Sequence, residues 1–476
     1  MQKGSSIEFY QQRPQSRETV GVEEVQQQTQ QFGFAEPEMD ELLKYSLRTQ
    51  LEAMLQNQLS TAERQRQLKE SFAAAVELVL KETKVEHRTL VQAFQSMYGN
   101  ACQSLSLAKL TQEELTRQYI STSGLVMSPL NCKHTIKDVY RIKGFACGIN
   151  KAIQHMLANK SQVKVLYPAC GPFAPLLLPL LAHYKQSDRI SAEQLQVTLV
   201  DIHPGAIKAL NQLIADLDIA DYIEALVEED ATQFSPTQTF DLLILEAMQH
   251  GFSREGFLSI AKHLVQYLHI QGEMIPNQVS VRAMMVIGET EFNQQWEKAE
   301  YAHSNHCQPE AIDDRIDLGE ILNVNKAMMV IGETEFNQQW EKAEYAHSNH
   351  CQPEAIDDRI DLGEILNVNK AMLLRSEIFE LDGGIKMLQG NTIELPKDVP
   401  DMAKRILAIY SHIDTYGDAM VGQYDSGITH PKPDMTFYVD AKPKAVEHHY
   451  FEAKGGDKVS FYYQLTGLPG FVATHG

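Results

Sequence analysis

The sequence predicts an α/β fold followed by an antiparallel β domain, with an all-helical region in front. Three observations carry this. Short apolar runs alternate with helical segments between residues 121 and 272, the pattern of parallel strands buried on both faces. The stretch from Glu38 to Gln118 has helical periodicity and contains no proline. Beyond Gly272 the segments become short, aromatic and β-prone, punctuated by Gly and Pro.

Taken in order, residues 1–37 are Gln-rich and polar and are expected not to fold alone. Residues 38–120 form the helical appendage. Phe72, Val76, Val79 and Leu80 mark one apolar face, and Leu90, Val91, Phe94 and Met97 mark the next. Residues 121–282 should hold the parallel sheet. A helix over Lys137–Leu157 leads to a strand over Val163–Tyr167. The strand Val197–Val200, a helix over His203–Asp216, a short strand Ile223–Val227 and the strand Asp241–Leu245 follow. Residues 283–476 form the β domain, with strands at Met435–Val439 and Val459–Tyr463. Inside it, Ala283–Lys326 recurs unchanged as Ala327–Lys370, a 44-residue tandem repeat. Solenoid repeats diverge and need three or more units for stability. Two identical copies read instead as a recent in-frame duplication or as an artefact of sequence assembly, in which either copy could fill one structural slot and leave the other extruded.

At 476 residues the chain is long enough for two or three domains with a sizeable core. A formal net charge of −21 argues against general nucleic-acid binding and suits a cationic partner. No apolar run reaches membrane-spanning length, and the start of the chain lacks a signal-peptide stretch. The six cysteines show no CxxC pairing and no ligand spacing with histidine, so they read as reduced thiols of a cytoplasmic protein without a metal site.

Two sets of residues carry chemistry. The first begins at the strand–turn–helix of Val163–Pro179. Its turn, Tyr167-Pro168-Ala169-Cys170-Gly171, can bring backbone N–H groups to an adenosyl cofactor, although it holds one glycine. The next strand ends in Asp201, thirty residues after Gly171, where a carboxylate can accept ribose hydroxyls or, alternatively, cap the following helix. Asp230 and Ala231 follow the third strand, placed for an adenine edge. This order is that of class I methyltransferases and points to S-adenosylmethionine on a Rossmann-like domain. The second set is Glu246, directly after an apolar strand, and Glu255 nine residues later. A loop of that length can present two carboxylates to one guanidinium, a planar, permanently charged group with five donors.

At these residues the chain resembles the protein arginine methyltransferases. Glu246, Met248 and Glu255 reproduce the spacing of that family's double-E loop, and the likeness runs through Phe257–Leu268 into Gly272–Pro276, read as the exit from a long helix. Asp138-Val-Tyr-Arg141 matches the family's Asp-x-x-Arg, which implies that Arg141 pairs with the cofactor carboxylate. Gly427-Ile-Thr429-His430-Pro431 is similar to the Thr-His-Trp loop of the family's β-barrel, which implies an accessory proton-handling role for His430. Gly456–Val459 resembles a barrel turn beyond it. The likeness covers about Thr135 to Gly470 and leaves out the helical N-terminal third. It implies a β-barrel-like substrate domain, a homodimer, and as substrate an arginine-containing protein or a small guanidino compound. The chain departs from the family at Pro431, which stands where the loop has Trp, and at Gly124–Leu130, where the family's aromatic Tyr-Phe-x-x-Tyr helix is missing. Methylation of another small nucleophile, and a non-catalytic scaffold, stay open as alternatives.

Overall fold

A computed structural model describes residues 60–81, 85–287, 359–381, 383–402, 405–423, 425–430, 436–439 and 452–476. The expected Gln-rich tail lies outside the described residues. Residues 60–64 contribute only the start of the first helix, α1 (Thr61–Val79). Helix α2 (His87–Leu107) follows. Leu68, Phe72, Ala75, Val76 and Val79 are buried along α1 at helical spacing, as are Leu90, Phe94, Met97, Ala101 and Leu105 along α2. A short α3 (Gln112–Thr116) opens on a capping box, Thr111 with Glu114. The hairpin β1 (Tyr119–Ile120) and β2 (Leu125–Val126) comes next, then α4 (Lys133–Lys137) and α5 (Val139–Leu157). The expected helix from Lys137 thus begins at Val139, with Lys137 closing α4. Asp138 leaves helical geometry and caps α5 by accepting from the Arg141 N–H at 3.2 Å.

The parallel sheet is built from β3 (Val163–Pro168), β4 (Leu195–Asp201), β5 (Ile223–Glu228), β6 (Phe240–Ile244) and β7 (Leu268–Ile275) in the order β5-β4-β3-β6-β7. Helices α6 (Leu178–Ser187), α7 (Pro204–Leu217) and α8 (Phe257–Leu264) form its crossovers. The chain order reverses at β3, so a crevice opens at the carboxyl ends of the central strands. The strands β3, β4 and β6 are almost wholly buried, which is why they read as continuous apolar runs. One expectation is corrected here. Phe257–Leu268 is not a long helix, and Gly272–Ile275 is not its exit. Helix α8 ends at Leu264, and residues 268–275 are strand β7, paired parallel with β6 through Leu243–Met274 and Ile244–Ile275. Burial of Met274 and Ile275 against the sheet outweighs helix continuation.

The remainder is antiparallel apart from one short parallel pairing. Strands β8 (Gln278–Ile287), β9 (Ile360–Asn369), β10 (Ile378–Leu381), β11 (Ile385–Glu394), β12 (Arg405–Tyr416), β13 (Ala419–Val421), β14 (Thr436–Val439), β15 (Glu452–Ala453), β16 (Lys458–Gln464) and β17 (Gly470–His475) form two sheets. One runs β15-β14-β12-β8-β9, with β13 also paired to β12, and the other β10-β11-β16-β17. A short helix α9 (Lys370–Arg375) leaves β9. Strand β11 of one sheet touches β9 of the other, where Asn391 donates to the Glu364 carbonyl at 2.9 Å. Residues 288–358, most of both copies of the duplication, lie outside the described residues. Ala283–Ile287 of the first copy completes β8, Ile360–Asn369 of the second forms β9, and the two pair. Among the described residues no helix is long and apolar enough to cross a membrane.

Helix α5 joins the parallel sheet to the β region. A Cβ on Gly148 would lie 2.4 Å from Thr415 Oγ1, and one on Gly144 would lie 2.5 Å from the Met420 carbonyl. Glycine at both positions lets the helix backbone rest on β12 and β13.

Candidate active site

A cavity of about 510 Å³ lies at the carboxyl ends of β3, β4 and β6, within the range of small-molecule sites. Its floor is the turn after β3. Ala169 has φ +48° and Gly171 φ +64°. A left-handed alanine carries a Cβ strain of about 1–2 kcal/mol, so this chain meets with strain a turn that glycine makes freely. The Gly171 N–H donates to Asp201 Oδ2 at 2.8 Å, and the His203 N–H donates to Asp201 Oδ1 at 2.8 Å. Asp201 therefore latches the turn to the end of β4. It does not cap α7, because His203 does so, its Nδ1 accepting from the Gly205 N–H at 3.0 Å. Burial pushes the Asp201 carboxyl up from its ordinary value, and the two N–H groups oppose that shift. Each oxygen keeps a free lone pair for a further donor. A Cβ on Gly171 would meet only Cys132 Sγ, at 3.8 Å, so the turn is open on that side. Asp230 accepts from the N–H and the hydroxyl of Thr232, both at 2.8 Å. Tyr167, Ala169, Cys170, Asp230 and Ala231 all line the cavity.

The opposite wall is the glutamate loop. Glu246 leaves the end of β6 buried, and its Oε2 is ion-paired with Arg141 Nη2. Glu246 Oε1 and Arg141 Nε are buried with no hydrogen-bond partner among the described residues. Burial raises the Glu246 carboxyl to about 7, against the pull of Arg141 and with added repulsion from Glu255 and Asp138. For Arg141, burial disfavours the cation, but Glu246 and Asp138 outweigh it and its pKa is raised. The loop returns on itself because Gln249 and Ser253 exchange backbone hydrogen bonds at 3.1 and 3.4 Å. Gly251, Phe252 and Arg254 have φ of +62°, +54° and +65°. Phe252 holds the hairpin down, its ring centroid 5.3 Å from those of both Phe257 and Tyr463. The Arg254 N–H donates to the Pro469 carbonyl at 2.7 Å, and the Leu125 N–H donates to the Arg254 carbonyl at 2.8 Å. Glu255 is thereby brought back to the same cavity as Glu246, half-buried, with its carboxyl raised by burial and pulled down by Arg141. Met248 is buried in the wall between them.

The structure brings together Arg141, Tyr167, Ala169, Cys170, Gly171, Asp201, Asp230, Ala231, Glu246, Met248 and Glu255 around one space. His430 is placed otherwise. Gly427 and Ile428 line the cavity, while Thr429 and His430 are buried and do not line it, and Pro431 lies outside the described residues. The loop is nonetheless tied to the site, since the Ser426 hydroxyl donates to Asp138 Oδ2. Sequence reasoning missed the β1–β2 hairpin, Cys132 and Gln249, all of which line the cavity. Gly124 was the available signal for the hairpin. Its φ is +152°, and a Cβ there would meet the Gly256 nitrogen at 2.7 Å, so only glycine fits. Cys132, whose thiol burial pushes up, had none.

No protein-family model matches the chain, and no curated protein matches it. Among solved structures the chain is similar to Arabidopsis thaliana protein arginine methyltransferase 10, at 11% identity over 70% of this chain and 87% of that one, with a TM-score of 0.38. It is also similar to the Trypanosoma brucei PRMT1 enzyme–prozyme heterotetrameric complex with AdoHcy, at 10% identity over 72% of this chain and 96% of that one, with a TM-score of 0.36.

Proposed function

We propose that this protein is an S-adenosylmethionine-dependent N-methyltransferase acting on a guanidino group. The observation that carries the reading is the pairing inside the cavity: Glu246 already binds a guanidinium, that of Arg141, and Glu255 stands in the field of the same cation. A buried and a half-buried carboxylate on one wall are costly unless a cation joins them. The orphaned Glu246 Oε1 is an acceptor awaiting a donor.

The cofactor fits the residues opposite. Gly171 leaves its side of the turn open, Asp201 has lone pairs for two ribose hydroxyls, and the unpartnered Arg141 Nε can meet a carboxylate while Nη2 keeps Glu246. When bound, it supplies a sulfonium methyl group for direct transfer. Glu246 and Glu255 would hold the substrate guanidinium and keep positive charge on the nitrogens that do not react, leaving the third more nucleophilic, and the proton which that nitrogen gives up on methylation would pass to one of the two carboxylates. Their contribution is position and fixed charge. Met248 and the Phe252 cluster exclude water from the wall. A homodimer and a protein or small-molecule guanidino substrate belong to the same proposal.

A labelled-methyl assay on free arginine, arginine peptides and non-guanidino amines tests it. Transfer to guanidino compounds alone is expected. Transfer to other amines or hydroxyls instead would overturn the guanidino reading, and calorimetry showing no cofactor binding would overturn the enzyme.

A further inference from the structure

The two glutamates of the site are held differently. Glu246 has Arg141, whereas Glu255 has one side-chain hydrogen-bond partner among the described residues, Gln249, whose Nε2 donates to Glu255 Oε1 at 3.0 Å. A carboxylate only accepts, so the amide nitrogen must be the end turned to Glu255. The same Nε2 lies 3.6 Å from Met127 Sδ, a weak acceptor that can take its second N–H. Gln249 starts from a fixed backbone, bonded in both directions to Ser253. The hairpin is thus closed by backbone, and the side chain is turned to the carboxylate. Left alone, a glutamate with three free torsions would lose rotamer entropy on meeting a substrate. The hydrogen bond removes part of that loss beforehand, and Glu255 Oε2 stays available.

We propose that Gln249 is a positioning residue, which presets the Glu255 carboxylate as the second arm of the guanidinium clamp. This rests on the guanidino reading above. It differs from a packing role in what it controls, namely the orientation and charge state of one neighbouring side chain.

The test uses the full chain as Gln249→Ala and Gln249→Glu. Glu255 is followed by carboxyl-carbon NMR without substrate, beside kcat and KM for a guanidino substrate and the melting temperature. In Gln249→Ala the Glu255 titration moves to higher pH, because the ionised form loses a donor. Its kcat falls on the order of tenfold, as expected for losing a hydrogen bond to a charged group, and the melting temperature holds. In Gln249→Glu the titration moves further up, and the acid limb of kcat/KM moves with it. An unmoved Glu255 titration in both variants overturns the proposal, even if activity falls together with the melting temperature. The titration needs no substrate, so it is read even if wild-type protein methylates no guanidino compound, a result that overturns the function reading separately.

Discussion

The turn after β3 and the glutamate loop after β6 each place a buried carboxylate in the same cavity, and they hold it by different means. Asp201 is gripped by two backbone N–H groups, from Gly171 and His203, and its geometry is as fixed as the sheet. Glu246 is held by a side-chain ion pair with one oxygen left unpartnered, and Glu255 by a single amide. Backbone partners cannot leave without unfolding the turn, whereas side-chain partners can rotate away when a substrate arrives. A latch on one wall and an exchangeable clamp on the other is the division expected when one ligand must be seated in a fixed pose and the other admitted and released.

The largest expected effect comes from the clamp. Glu246→Gln and Glu255→Gln should each lower transfer to the guanidino substrate by at least about a hundredfold, since breaking a buried ionic contact costs roughly 3–5 kcal/mol. The Arg141 pairing separates the two variants. Glu246→Gln takes from the half-buried Arg141 its ion-pair partner, so its melting temperature should fall while that of Glu255→Gln holds. Near-full activity in both would reduce the loop to structure.

The latch should respond next. Asp201→Ala strands the Gly171 and His203 N–H groups and removes the ribose acceptor. Calorimetry should show cofactor affinity down by about tenfold or more, and denaturant unfolding a loss of about 1–3 kcal/mol. Unchanged affinity would detach the turn from the cofactor.

The pH response sharpens the contrast. The folded Glu246 carboxyl titrates at about 7, above its ordinary 4.5. The folded protein thus binds more protons than the unfolded chain between these values, and this group's contribution to stability declines as pH rises through that window. Activity runs the other way, because the clamp needs the ionised form. The acid limb of kcat/KM should have its midpoint near 7 and move lower in Glu255→Gln, where one repelling charge is gone. A limb unmoved by that substitution would show that the two carboxylates do not act on one site.

The smallest effect is expected far from both walls. Deleting Ala327–Lys370 preserves the sequences of β8 and β9, because the tail of the first copy is identical to that of the second. The deletion only shortens the connection between the paired strands, and loop closure depends weakly on length, about 0.6 kcal/mol per doubling. A melting temperature within a few degrees of the parent and unchanged cofactor binding are expected. Insoluble protein would show that both copies are structural.

Much of the sheet was legible because each strand is a short apolar run, and its acidic or glycine-bearing end follows at once: Gly171 after β3, Asp201 at the end of β4, Asp230 after β5, Glu246 after β6. A strand carries its own direction, so residues just past its carboxyl end must reach one edge of the sheet. Strand β7 was misread because parallel pairing with β6 overrides the local pattern. The clamp's partners were hidden for a related reason. Arg141 and Glu246 are 105 residues apart, and nothing local to either names the other.

The sequence by itself thus determined the strand order of chemistry around the crevice and the spacing of the two glutamates, since both follow from periodicity and chain direction. Only the tertiary structure decided which charges meet. It joined Arg141 to Glu246, turned Gln249 toward Glu255, kept His430 out of the cavity lining, and built one strand pair from the head of one repeat and the tail of the other. Such pairings depend on burial and on elements far apart in the chain, where the cost of leaving a charge or a strand edge unpaired selects the partner.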